Sequence, residues 1–133
     1  MNPSTRRQFL SKAGVAAAAV TLPNMIRAAG ANERIRYGLI GGGQRGRWFY
    51  EGADYVCDPD RRRLAEAASA SGVDQAHAVT DMRRILDDPG IDAVVITAPD
   101  HWHAPAAILA CEAGKHVYVE KPCSHNFREG QLL

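Results

Sequence analysis

The stretch "GLIGGGQRGRWFYEGADYVCDPD", Gly38 to Asp60, constrains this chain most. An apolar run, "IRYGLI" (Ile35–Ile40), ends in closely spaced glycines, and a second short run, "YVC" (Tyr55–Cys57), ends in an acid. Two such runs predict neighbouring strands joined by a crossover. That crossover has to be short, because only "RWFYEGAD" separates Gly46 from the second run. Eight residues rise ~12 Å as a helix, whereas a five-residue strand spans roughly 17 Å. The connection closes only if the helix and the second strand are both stubs. Trp48, Phe49 and Tyr50 would form the buried face of that stub, with one aromatic left exposed.

Gly41, Gly43 and Gly46 satisfy G-x-G-x-x-G, with Gln44 and Arg45 between the last two. After a strand and before a helix, this pattern predicts a phosphate cradle for a dinucleotide. Gly41 allows the tight turn, Gly43 lets a pyrophosphate approach the backbone, and Gly46 lets helix and strand pack closely. Unpaired N–H groups at the helix start favour the phosphates. Asp58 closes the second strand. A carboxylate there accepts from ribose hydroxyls and repels a 2′-phosphate, which favours NAD over NADP. Asp58 is equally suited to cap the following helix. Arg61, Arg62 and Arg63 could neutralise a phosphate or form a solvated helix face.

Beyond Asp58, helix and strand signals alternate, as in parallel βαβ units. "DPDRRRLAEAASAS" predicts a helix with Pro59 in its first turn, Leu64, Ala65 and Ala68 inward, and Gly72 as its stop. Further strands are predicted at Ala76–Val79, Ile91–Thr97 and His116–Glu120. The unbroken apolar run of Ile91–Thr97 implies cover on both faces. Between these strands lie a short helix with Met82, Ile85 and Leu86 inward, and a helix over Ala104–Gly114. Asn126 and Glu129 are spaced as a capping box for a last helix. The fold class is α/β, a Rossmann-type parallel sheet.

Charge is divided unevenly. Residues 1–31 carry Arg6, Arg7, Lys12 and Arg27 and none of the 15 acidic residues. The rest is mildly acidic and lacks the basic stripe that nucleic-acid binding needs. "STRRQFLSK" (Ser4–Lys12) resembles the twin-arginine export motif. The Ala-rich run from Ala13 to Ile26 is too short for a membrane span, and Ala29-Gly30-Ala31 offers an A-x-A cleavage site. Residues 1–31 therefore read as a signal peptide engaging the twin-arginine machinery, with a periplasmic destination. Residues 32–133 read as the dinucleotide-binding domain. Cys57, Cys111 and Cys123 suggest no disulfide framework, and each, in or beside an apolar run, reads as a buried thiol.

"ITAPDHWHAPAAILACEAGKHVYVEKPCSHN" (Ile96–Asn126), together with "GLIGGGQRG" and "VCDPD", closely resembles the Gfo/Idh/MocA oxidoreductases. That family is named for glucose–fructose oxidoreductase and inositol dehydrogenase. The resemblance covers nearly all of residues 33–133, and "EAGKHVYVEKP" is its most specific part. It implies an N-terminal Rossmann domain, a following α/β domain, and NAD(P)-dependent oxidation or reduction of sugars, inositols and related polyols. Lys121 would contact the reacting hydroxyl and the nicotinamide ribose, Glu120 would lie near that ribose, and Pro122 would fix the turn, through a cis bond. Ala98, Pro99 and Asp100 would line the dinucleotide, where the family more often shows Thr-Pro-Asn. His103 matches the family's histidine in this loop.

His101, His103, Cys123 and His125 fit no strong zinc pattern, and no metal is expected. Family members run roughly three times this length. The sequence therefore reads as an incomplete sheet, lacking the C-terminal α/β domain that carries the substrate pocket. By that reading the chain alone does not turn over a substrate. Two alternatives stay open. One is a non-catalytic nucleotide-binding fragment or inactive remnant. The other is an NAD-dependent glycosidase of the same superfamily, whose members tend to replace the lysine that stands here as Lys121.

Overall fold

The structure, a computed structural model, describes residues 34–133. The signal peptide expected over residues 1–31 lies outside the described residues. Five parallel strands form one sheet in the order β3-β2-β1-β4-β5. They are β1 (Tyr37–Ile40), β2 (Tyr55–Cys57), β3 (Ala78–Val79), β4 (Ala93–Ile96) and β5 (His116–Val119). The helices are α1 (Arg61–Ser71), α2 (Arg83–Leu86), α3 (His103–Glu112) and α4 (Phe127–Leu132). Strand order reverses between β1 and β4, the point where open α/β sheets bind ligands.

Side chains alternate across the sheet and feed two cores. Ile40, Tyr55, Cys57, Val94 and Ile96 pack on one face with Ile85 and Leu86 of α2 and Ala106, Ala107 and Ala110 of α3. Leu39 and Val56 pack on the other with Tyr50, Leu64 and Ala67, and Val95 of β4 lies against them. β4 is thus covered on both faces, as its apolar run requires. Alanines on the inner face of α3 let that helix approach the sheet closely. Gly38 serves the same end within β1, since a β-carbon there would collide with Ile85.

The first crossover closes in the only way its length permits. One four-residue 3-10 turn, Gly46–Phe49, stands where a full helix is usual, and β2 has only three residues. Tyr50 is buried, Phe49 is half-buried against Tyr118, and Trp48 remains exposed. The Tyr37 hydroxyl pins the loop, sharing its one proton between the carbonyls of Glu51 at 2.7 Å and Phe49 at 3.0 Å.

Several expectations need correction. Asp58 does not cap α1. Its N–H bonds Val79 at 3.2 Å, holding it at the sheet edge, so the helix starts later. Asp60 is the cap, accepting from the N–H groups of Arg62 and Arg63, and Pro59 precedes the helix. Leu64 and Ala67, one turn apart, form its buried face, and Ala65 is exposed. Gly72 ends the helix in the left-handed region, as its position predicts. β3 is shorter than expected because Asp74 folds residues 74–78 into a turn, accepting from the N–H of His77 through its side chain and of Ala78 through its carbonyl.

The buried-thiol reading holds for Cys57 alone. Cys111 lies on the outer side of α3 and Cys123 in the turn after β5, and both are exposed. Burial pushes the Cys57 thiol up to about 12. At pH 8, Ellman's reagent should therefore titrate Cys111 and Cys123 quickly in the native protein and Cys57 only after denaturant is added. Rapid labelling of Cys57 without denaturant would contradict this packing.

Candidate cofactor site

The site arises because the parallel ladder continues one step past the strand ends. The Gly41 N–H donates to Cys57, Thr97 to Ile40, and Glu120 to Ile96, at 2.8, 2.8 and 3.0 Å. With Asp58 bonded to Val79, these bonds place Asp58, Gly41, Thr97 and Glu120 in one row along the carboxyl edge. Among the described residues, the buried polar or charged side chains are Asp58, Thr97, His103 and Glu120. All four stand at this edge. Buried polar groups must find partners, and each of these holds a neighbouring loop.

Asp58 accepts from the Gly42 N–H at 2.9 Å and from the Asp60 N–H at 2.8 Å, so it ties the glycine turn to the start of α1. Thr97 donates its hydroxyl to the Gly41 carbonyl at 2.7 Å. Tyr50 donates to the Gly42 carbonyl at 2.8 Å. Gly41 takes φ +105°, a conformation that favours glycine. A β-carbon on Gly46 would overlap the Gly41 carbonyl oxygen, whereas one on Gly43 would meet nothing within 4 Å. The loop is packed tightly at its first and last glycines and open at its middle one, which is the surface a pyrophosphate needs.

Beyond the loop lies a cavity of about 470 Å³ lined by Arg45, Thr97, Ala98, Asp100, His103, Glu120 and Lys121. Of the residues predicted from sequence, Arg45, Ala98, Asp100, His103, Glu120 and Lys121 meet here. Gly41, Gly43, Gln44 and Gly46 belong to the glycine loop beside it. Pro99 starts the turn Asp100–Trp102 rather than lining the cavity. Thr97 and Tyr50 were not foreseen as site residues. A hydroxyl ending an apolar strand is the available signal for Thr97, and the Trp48–Tyr50 aromatic run by itself points only to apolar packing for Tyr50.

Arg45 crosses the cavity. Its Nε and Nη2 donate to Glu120 Oε1 at 2.8 and 2.6 Å, linking the loops after β1 and β5 over the end of β4. The guanidinium holds the Glu120 carboxyl below the usual carboxylate range. Tyr118 adds a hydroxyl to the same oxygen at 3.3 Å.

His103 is a strut. Its Nδ1 faces the Pro122 carbonyl at 2.6 Å and its Nε2 the Ala98 carbonyl at 2.8 Å. A ring with one N–H can donate to only one of these oxygens, and donation to both requires the protonated ring. With both nitrogens facing carbonyls, the ring presents no lone pair to a metal or substrate. The Lys121–Pro122 bond it supports is cis, as the motif implied. Asp100 accepts from the His101 N–H and lies 3.3 Å from His125 Nδ1, joining the loops after β4 and β5. The His125 contact lowers the Asp100 carboxyl below its ordinary value.

Residues 35–133 match the family model described as the oxidoreductase family GFO_IDH_MocA, with an NAD-binding Rossmann fold. The chain belongs to the Gfo/Idh/MocA family. Its levoglucosan dehydrogenase from Pseudarthrobacter phenanthrenivorans is 34% identical over 117 residues, covering 76% of this chain and 30% of that protein. A solved levoglucosan dehydrogenase structure in complex with NADH superposes with TM-score 0.67 at 33% identity, covering 75% of this chain and 31% of that one. The scyllo-inositol 2-dehydrogenase (NAD(+)) of Bacillus subtilis is 38% identical over 82 residues, covering 60% of this chain and 23% of that protein. A glycosyl hydrolase family 109 protein from Shewanella pealeana is 31% identical over 156 residues, covering 88% of this chain and 33% of that protein. This chain thus spans a third or less of the length of these curated relatives. Residues 35–133 are the family's NAD-binding Rossmann domain, and the open glycine surface beside a polar cavity fits that cofactor.

Two substitutions in the loop should behave oppositely. Gly46→Ala should cost at least about 2 kcal/mol of stability, because backbone blocks the new methyl. Gly43→Ala should leave the melting temperature unchanged and weaken dinucleotide binding. Equal melting temperatures for the two variants would refute this loop geometry. The ion pair makes a pH prediction. Glu120 has a lower pKa folded than unfolded. Its contribution is complete above the ordinary value of about 4.3 and fades as pH falls through the folded value. Acid titration of the melting temperature should show that loss in the parent chain and a smaller one in Arg45→Met.

Proposed function

We propose that this chain is the cofactor-binding part of an exported oxidoreductase that moves hydride between a nicotinamide cofactor and a sugar, inositol or related polyol. The observation that carries this reading is the meeting of Lys121 with Glu120, Thr97 and Arg45 of the glycine loop at one cavity. The relatives named for levoglucosan and scyllo-inositol support the substrate class. Export rests on the Arg6-Arg7 motif and the Ala-rich run after it.

Gly41, Gly43 and Gly46 would seat the pyrophosphate, and Asp58 would accept from the adenosine ribose. When bound, the nicotinamide supplies the hydride acceptor or donor. Lys121 lies two residues past the end of β5 and lines the cavity, so its ammonium can hold the oxygen of the reacting carbinol and stabilise the developing alkoxide. His103, with both nitrogens engaged, positions the loops of Ala98 and Pro122 instead of moving a proton. Thr97 keeps the first turn closed against β4. Substrate-binding residues would come from protein beyond these elements.

The glycosyl hydrolase relative favours one second reading, a glycosidase that uses the same cofactor transiently. Lys121 weighs against it, because the sequence resemblance links glycosidases of this superfamily to loss of that lysine.

Titration of NADH into the purified chain, followed by nicotinamide fluorescence, should saturate, and Gly43→Ala should weaken it roughly tenfold or more. Where the chain is joined to a substrate domain, Lys121→Ala should cut polyol oxidation at least about 100-fold with little change in NADH affinity. Failure of the parent chain to bind NADH, or nitrophenyl-glycoside hydrolysis without net polyol oxidation, would overturn the proposal.

A further inference from the structure

The first crossover leaves the phosphate cradle with an electrostatic deficit. A helix macrodipole comes from aligned peptide units, and Gly46–Phe49 is one 3-10 turn of four residues. Its cap residue, Arg45, makes no capping bond through its side chain. Backbone alone therefore offers a diphosphate less positive potential here than a full helix would. The loop compensates in kind, because it carries a cation of its own between Gly43 and Gly46.

That cation is held for exchange. In the Arg45–Glu120 pair the Glu120 side chain is 9% exposed and the Arg45 side chain 54%. Glu120 is fixed by the sheet, through its N–H on Ile96, and its acid oxygen also receives Tyr118. Arg45 instead sits on a loop with open space beside Gly43. A diphosphate carries more negative charge than one carboxylate and presents several oxygens to a guanidinium fork. The partner free to move is the arginine, and the stronger acceptor is the ligand.

We propose that Arg45 is a pyrophosphate-binding residue that exchanges partners: it closes the cavity on Glu120 when no cofactor is present and transfers to the phosphates when the dinucleotide enters. This rests on the dinucleotide reading above and deepens it. The transfer releases the Glu120 carboxylate toward the nicotinamide half of the site, so binding at the phosphates prepares the reacting end.

Calorimetric titration with ADP, which carries the diphosphate without the nicotinamide, tests this directly, with adenosine as the phosphate-free control. Arg45→Met should weaken ADP roughly tenfold and leave adenosine unchanged, and Arg45→Lys should restore part of the loss. Glu120→Gln should tighten ADP severalfold, because the competing carboxylate is gone, and should have no such effect in the Arg45→Met background. Circular dichroism melts would show that the variants are folded. Unchanged ADP affinity in folded Arg45→Met overturns the exchange while leaving the dinucleotide reading intact. Weakening of ADP by Glu120→Gln as large as that by Arg45→Met also overturns it, since Arg45 would then be a fixed brace. No binding of NADH or ADP by the parent chain overturns the dinucleotide reading and this inference with it.

Discussion

The Gly41 carbonyl is the point on which the site depends. It accepts the Thr97 hydroxyl and lies where any side chain at position 46 would have to be. The turn after β1 is thereby folded flat against the end of β4, and the chain can leave it at once along Gly46–Phe49. A bulkier turn would consume residues that this crossover lacks. From the same position, the ladder step past β1 brings Asp58 to one side of Gly41 and Thr97 to the other. A single close approach thus permits the short connection and aligns the polar row.

The strands were legible because apolar runs bounded by turn residues have few alternatives in a parallel sheet. β2 was located at Tyr55–Cys57, and the length argument required the stub that stands at Gly46–Phe49. The start of α1 was not legible. Asp58 and Asp60 are equally good caps in isolation, and the choice was made by a tertiary bond from Asp58 to Val79. The inward face pairs Leu64 with Ala67 rather than Ala65, a choice made by packing on the sheet. Local rules could not settle that, since alanines occupy both faces.

In the site, the glycines, Asp58 and Lys121 stood out by pattern, because each belongs to a motif with a chemical reason for its spacing. The Arg45–Glu120 bridge could not be read in the same way. Its members lie 75 positions apart, and they meet only because β1 and β5 flank β4. Each belongs to its own motif, and neither motif points to the other. His103 shows the limit of residue type as a guide. A histidine beside a polar cavity invites an acid–base reading, and two carbonyl partners make this one a strut.

Asp58 braces the glycine turn, and the proposed ribose contact would be its second duty. One oxygen accepts from Gly42 and the other from Asp60, which is a structural task even though it is not the helix cap. A carboxylate has about four acceptor positions, so two backbone bonds leave it able to receive ribose hydroxyls. The same bonds fix its charge beside the glycine turn, where it cannot rotate away from a 2′-phosphate. Under the proposed reading, bracing the turn and disfavouring the phosphorylated cofactor would follow from one geometry. The exposed arginines that follow, Arg61 to Arg63, stand on α1 beyond it. Asp60 draws the Arg63 guanidinium to 3.7 Å and meets Arg62 through its backbone N–H.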